Sequence, residues 1–125
     1  MHYHYIFKTY KGKSTLLLEF KDKIGKDFAL IDQEKGFALI AHAILEDHVH
    51  LLLKQQKLDK TDYVMRMFKG ISSRRFFKEF RSNRLDHRKL WGRGYFARPV
   101  PEAEVPKVVQ YIKEQVNAHG FDKRY

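Results

Sequence analysis

The stretch His48-Val49-His50-Leu51-Leu52-Leu53 constrains the fold of this chain more than any other. It is short and apolar, with Glu46-Asp47 before it and Lys54-Gln55-Gln56 after it, the pattern of a buried β-strand. Strand side chains alternate between faces, so His48 and His50 leave one face together while Val49, Leu51 and Leu53 leave the other, toward a core. The run before it, Phe37 to Leu45, is nearly continuous apolar sequence after Gly36 and reads as a central strand. Glu46-Asp47 then joins the two strands as an antiparallel hairpin. Within the first of them, His42 reads as a packed or edge-bonded histidine rather than a ligand. Two neutral imidazoles held side by side on a rigid strand are preorganised ligands for a divalent metal.

The remaining elements build around that hairpin. Tyr3 to Tyr10 is aromatic and β-branched and reads as a first strand, which Lys11-Gly12-Lys13 ends; His2 and His4 fall at its frayed start, which argues against a ligand role for them. Ser14-Thr15 opens an apolar segment whose later members recur every three or four residues. A helix over about residues 16–34 follows, with Gly36 as its stop. Asp59 to Asp62 supplies helix-start chemistry for a second helix, in which Val64, Met67, Phe68 and Ile71 stand at helical spacing. Gly70 and Ser72-Ser73 allow a bend, and Phe76, Phe77 and Phe80 continue the apolar face. Arg81 to Lys89 reads as a basic loop. Leu90 to Val100 reads as a last strand, with Gly92 and Gly94 for close backbone approach and Pro99 ending it. Pro101-Glu102-Ala103-Glu104 starts a final helix with an apolar stripe of Val105, Val108, Val109, Ile112 and Val116, which Gly120 caps. Tyr111 and Gln115 are four residues apart on that helix, so they share a face beside the stripe.

Charge points to the partner. The chain carries a formal net charge of +10, unevenly spread: residues 1–55 hold 8 Lys/Arg against 7 Asp/Glu, and residues 56–125 hold 17 against 8. Such a field favours a polyanion, nucleic acid first among them. The second helix concentrates it, since Lys69, Arg74, Arg75 and Lys78 occupy the positions that the Phe stripe leaves open. With Arg93 they are candidate contacts to a DNA backbone, while Trp91, Tyr95 and Phe96 are candidates for stacking on unpaired bases. The 125 residues are expected to form one domain. No apolar run approaches the ~18–20 residues of a membrane span, and no secretory signal opens the chain. The absence of cysteine excludes disulfides and thiolate metal sites and leaves the cytoplasm as the default compartment.

His48 and His50 offer two nitrogens, and a glutamine on a neighbouring helix can add an oxygen, leaving positions open for phosphate and water. A tyrosine beside that glutamine, at the boundary of packing and solvent, can place its hydroxyl over the sheet without being swallowed by it. In this light the chain resembles the single-tyrosine HUH transposases, small insertion-sequence and repeat-associated enzymes that cut and rejoin single-stranded DNA. The likeness runs in order over residues 3–116, through His48 to Leu53, Phe68-Lys69-Gly70-Ile71-Ser72-Ser73-Arg74-Arg75, Leu90-Trp91-Gly92-Arg93-Gly94-Tyr95-Phe96 and Tyr111-Ile112-Lys113-Glu114-Gln115. It departs before the histidines, where Leu45-Glu46 stand in place of the family's usual Met-Pro. The resemblance implies a ferredoxin-like (RRM-like) α+β domain, an antiparallel sheet with helices packed on it and a C-terminal helix carrying the tyrosine. It also implies binding of imperfect DNA hairpins, and a homodimer in which the tyrosine helix can serve the partner's histidines. Its chemistry would use Mg²⁺ or Mn²⁺ on His48, His50 and Gln115, with Tyr111 attacking to leave a 5′-phosphotyrosine. The alternatives are a non-catalytic RNA-binding module of the same general fold and a domesticated relative that only binds hairpins.

Overall fold

The computed structural model describes residues 1–12, 18–55, 60–80 and 89–118. Four strands and three helices follow one another as β1 (His2–Lys8), α1 (Leu18–Lys35), β2 (Ala38–Ile44), β3 (His48–Lys54), α2 (Thr61–Glu79), β4 (Phe96–Val100) and α3 (Val105–Ala118). The sheet order is β2-β3-β1-β4, and every neighbouring pair is antiparallel. This is the ferredoxin-like α+β arrangement, with α3 added after it.

The hairpin forms as the sequence implies. The Leu45 N–H donates to the His48 carbonyl at 2.9 Å, so Glu46 and Asp47 make the turn. β3 is buried on both faces: Val49, Leu51, Leu52 and Leu53 are all 0 % exposed. Val49, Leu51 and Leu53 face a core shared with Tyr5 and Phe7 of β1, Phe20, Ile24, Phe28 and Ile31 of α1, and Val64, Met65, Phe68 and Phe76 of α2. Leu52 faces the other way. It packs with Ala43, Val100 and the Val108 and Ile112 side chains of α3 in a second, smaller cluster. The sheet is therefore covered on both faces, by α1 and α2 on one and by α3 on the other.

Four expectations are corrected here. The apolar run of residues 37–45 is an edge strand, not a central one. It is apolar because both its faces are covered: Ala43 lies in the α3 cluster, while Ile44 packs against the main core beside α1. His42 is exposed at that edge. The central strands are β3 and β1, so His4, far from lying at a frayed end, sits inside the sheet between Leu52 and Arg98. The last strand is confined to residues 96–100 and contains Pro99, which an edge strand tolerates. Ahead of it, the backbone of residues 90–92 meets the end of β1 through the isolated Thr9–Trp91 bridge and flanking bonds, the Gly92 N–H donating to the Lys8 carbonyl at 2.9 Å, while the Trp91 ring packs edge-on against Phe7. A Cβ at Gly92 would stand 3.1 Å from the Thr9 carbonyl oxygen, which is why glycine is needed at this approach. Finally, α2 runs unbroken from Thr61 to Glu79. Its Ser72 faces inward and accepts the Trp91 indole N–H at 2.9 Å, so the serine stabilises packing where a bend was allowed for.

α1 stops where expected, at Gly36, whose φ of +75° suits glycine and whose N–H donates to the Asp32 carbonyl. Residues 16–17 of the expected first helix, Asp59 of the second helix start, residues 81–88 of the basic loop and the Gly120 cap lie outside the described residues.

Candidate active site

The face of the sheet under α3 carries the candidate side chains. Strand alternation and register place His48 and His50 of β3, His4 and Ile6 of β1, and Phe96 and Arg98 of β4 on it. The His48 and His50 rings lie 5.1 Å apart between centroids. His50 is buried and His48 half-buried. Each ring is held from behind. The Asp47 carboxylate stands 2.7 Å from His48 Nδ1, and His4 Nε2 stands 3.0 Å from His50 Nδ1.

α3 lies across these strands because Val108 and Ile112 bury themselves against Leu52, Ala43 and Val100. Tyr111, between those two anchors, is thereby turned toward the histidines. Its ring meets that of His50 edge-on at 5.7 Å and that of His4 at 6.0 Å. The contact is made within one chain. Tyr111 stays 46 % exposed, so its hydroxyl end can be reached by a polymer in solution. Gln115 follows one turn later on the same side of the helix and is half-buried.

The donor set fits a divalent cation. Metal-bound histidines are normally oriented by a partner on their other ring nitrogen, and both Nδ1 atoms here have one. Among the described residues no group of three or more His, Cys, Asp or Glu side chains is gathered for a metal. The Gln115 carboxamide, on the tyrosine's own helix face, could add an oxygen to such a set.

A cleft of about 400 Å³ opens beside the tyrosine, lined by His4, Ile6, Phe96, Arg98, Glu104, Lys107, Val108 and Tyr111. Phe96 is 53 % exposed in it. Arg98 and Lys107 bring two cations and the phenyl ring brings a flat apolar surface. Burial holds the His4 imidazole below its ordinary pKa, and the Arg98 charge adds to the effect.

The other cationic and aromatic candidates are placed differently. Lys69 is half-buried and donates to the Gly92 and Gly94 carbonyls at 2.9 and 2.6 Å, and burial lowers its pKa. Arg75 reaches both carboxylate oxygens of Glu34 on α1, at 3.1 and 3.2 Å. Both side chains thus hold the fold together. Arg74, Lys78 and Arg93 are exposed. All four candidates on α2 belong to the layer across the sheet from Tyr111. Trp91 is a core residue, Tyr95 is tied by its hydroxyl to Asp62 and Thr61 at the start of α2, and Phe96 alone of the three aromatics opens onto the cleft.

Sequence reasoning missed His4, Arg98 and Lys107. Alternation along the first strand puts His2 and His4 on one face and could have drawn attention to them. Nothing local marks Arg98 or Lys107, since only the β1–β4 register and the seat of α3 bring them beside the tyrosine.

Comparison with known proteins follows the same lines. The family described as "Transposase IS200 like" matches residues 1–115. A crystal structure of a candidate transposase from Deinococcus radiodurans R1 superposes with a TM-score of 0.75 and 29 % identity, covering 92 % of this chain and 90 % of that one. A REP-associated tyrosine transposase bound to a REP hairpin superposes with a TM-score of 0.71 and 16 % identity, covering 96 % of this chain and 68 % of the other. Comparison with curated protein sequences finds no match.

Proposed function

This chain belongs to the IS200-like transposase family, and from that premise we propose that it cuts and rejoins single-stranded DNA beside hairpins, with Tyr111 as nucleophile and a divalent metal as cofactor. The observation that carries the reading is the meeting of Tyr111 with His50, at 5.7 Å between ring centroids, on the face that also bears His48. Two imidazoles and a phenol do not gather by the needs of packing alone, and Gln115 stands one turn further along the same helix. A helix face designed only to cover a sheet would be apolar at position 111.

In this mechanism His48, His50 and Gln115 hold Mg²⁺ or Mn²⁺. When bound, the ion supplies charge neutralisation at the scissile phosphate. Phe96 offers its exposed ring to an unpaired base, and Arg98 and Lys107 pair with flanking phosphates. This places the strand in the cleft beside the tyrosine. The Tyr111 oxygen attacks phosphorus as its proton departs. The bond to the 3′-side oxygen breaks, and that oxygen takes up a proton to become a free 3′-OH. The 5′-phosphate remains on the tyrosine as an ester, which a second 3′-OH can attack to rejoin the strand. A phenolate is a moderate leaving group, so the intermediate keeps its capacity for transfer. The REP hairpin bound by one structural relative supports a hairpin as the recognised DNA.

Incubation of wild type, Tyr111→Phe and His48→Ala with a hairpin-bearing single-stranded oligonucleotide and Mn²⁺ tests this. A covalent protein–DNA adduct is expected for wild type alone. An adduct that persists in Tyr111→Phe refutes the nucleophile. Hairpin binding retained by His48→Ala with cleavage lost is the expected split, and unchanged cleavage removes the histidines from the mechanism.

A homodimer is part of the same proposal, and the intrachain meeting of Tyr111 with His50 supports a site complete within each copy. Mixed dimers of Tyr111→Phe and His48→Ala should then stay inactive. Restored cleavage would mean that tyrosine and histidines are shared between subunits.

A further inference from the structure

His4 has no place in the mechanism so far, yet it is buried against two of its members. It lies 3.0 Å from His50 Nδ1 through its own Nε2, and its ring stands edge-on to Tyr111 at 6.0 Å. The His4 and His50 rings are within 24° of coplanar, with centroids 5.3 Å apart. That separation is about the N···N distance plus two ring radii, the most the two rings can span, so they meet side by side and nearly in plane, as an imidazole–imidazole hydrogen bond requires. The register makes the meeting unavoidable. His4 pairs with Leu52 and Ile6 with His50, so the two histidines are diagonal neighbours on one face of two central strands.

A hydrogen bond between two neutral imidazoles carries one proton, and its direction decides which nitrogen of His50 keeps a lone pair for another partner. If His50 Nδ1 donates, Nε2 is the lone-pair nitrogen and can ligate a cation. If His4 Nε2 donates, His50 Nε2 carries the proton and cannot. We propose that His4 is a positioning residue that accepts a hydrogen bond from His50 Nδ1–H and so fixes His50, in tautomer and in ring plane, as an Nε2 ligand for the divalent metal. Asp47 stands in the same relation to His48, its carboxylate 2.7 Å from Nδ1. An acceptor therefore sits behind each ligand: a carboxylate for one and, unusually, an imidazole for the other. This inference rests on the metal reading given above.

Two measurements separate the inference from that reading. The first is Mn²⁺ affinity by calorimetry on DNA-free protein. His50→Ala should abolish binding; if it does not, the metal reading itself fails. With that control in place, His4→Phe keeps the ring shape but has no acceptor, and should bind Mn²⁺ roughly 10- to 100-fold more weakly. His4→Gln offers a carboxamide oxygen as acceptor and should stay within a few-fold of wild type. His4→Phe binding like wild type overturns the inference, as does His4→Gln binding no better than His4→Phe. The second measurement needs no variant and so survives any failure of one to fold. In long-range ¹H–¹⁵N spectra of Mg²⁺-loaded wild type, His50 should appear as the Nδ1–H tautomer. His50 found as the Nε2–H tautomer would overturn the assignment outright.

Discussion

Replacing Ile112 by alanine should detach the tyrosine helix while leaving the rest of the sheet folded. α3 is anchored by a small cluster, with Val105 and Val109 packed at its edge. Val108 at 6 % exposure and Ile112 at 0 % enter a cluster with Leu52, Ala43 and Val100, whereas the opposite face of the sheet is clamped by two helices and their aromatic side chains. Burying two such side chains stabilises by ~3–6 kcal/mol, before the ordering of the helix is subtracted. Ile→Ala in a core costs ~2–5 kcal/mol, a loss comparable with the whole anchor. Ile112→Val costs only ~0.5–1.5 kcal/mol. At ~1.4 kcal/mol per tenfold, amide exchange in α3 should accelerate roughly 30- to 4,000-fold in Ile112→Ala and about 2- to 12-fold in Ile112→Val. Exchange in β3 and α2 should stay near wild type, and adduct formation should fall as α3 opens. Equal acceleration in α3 and β3 would show that the helix is not separately anchored. Unchanged exchange in α3 would refute the reasoning from the small cluster.

Three further outcomes follow from particular side chains. Lys69→Met leaves the Gly92 and Gly94 carbonyls without their ammonium donor, so we expect a loss of ~1–3 kcal/mol in denaturant unfolding; an unchanged midpoint would mean that water replaces the lysine at no cost. Arg98→Ala and Lys107→Ala should each lower the salt dependence of single-strand binding by about one unit of log K against log salt, and an unchanged slope for both would remove the cleft as the path of the strand. Burial raises the Asp32 carboxyl above its ordinary pKa, although the Leu39 N–H at 2.9 Å pulls the other way. The folded state then holds this proton more tightly than the unfolded chain, so the group adds stability as pH falls through its folded pKa and subtracts it as pH rises. Asp32→Asn keeps an acceptor for Leu39, so its stability should be equal or higher at neutral pH and should vary less across the carboxylate range; a pH profile parallel to wild type would refute this.

The elements that were legible share one property: their signal is local. The β3 strand, its two-residue turn from β2, the Gly36 stop and the apolar stripe of α3 are written in spacings of two, three or four residues. The misplaced features are those that depend on neighbours distant in sequence. An apolar run such as residues 37–45 looks the same whether it lies inside a sheet or at an edge covered on both faces, and here the covering is what differs. Lys69 and Arg75 read as free cations until the carbonyls at positions 92 and 94 and the Glu34 carboxylate come within reach of them.

The sequence by itself determined which side chains could do chemistry. The paired imidazoles, the tyrosine four residues from a glutamine and the excess of cations in the second half follow from residue identity and spacing alone. Only the tertiary structure decided which of them meet. β1 inserts between β3 and β4, so a histidine from the first strand comes behind His50, and an arginine from the last strand comes beside Tyr111. Those meetings are set by strand order and register, which arise from the burial of two faces at once and leave no mark in any short stretch of sequence.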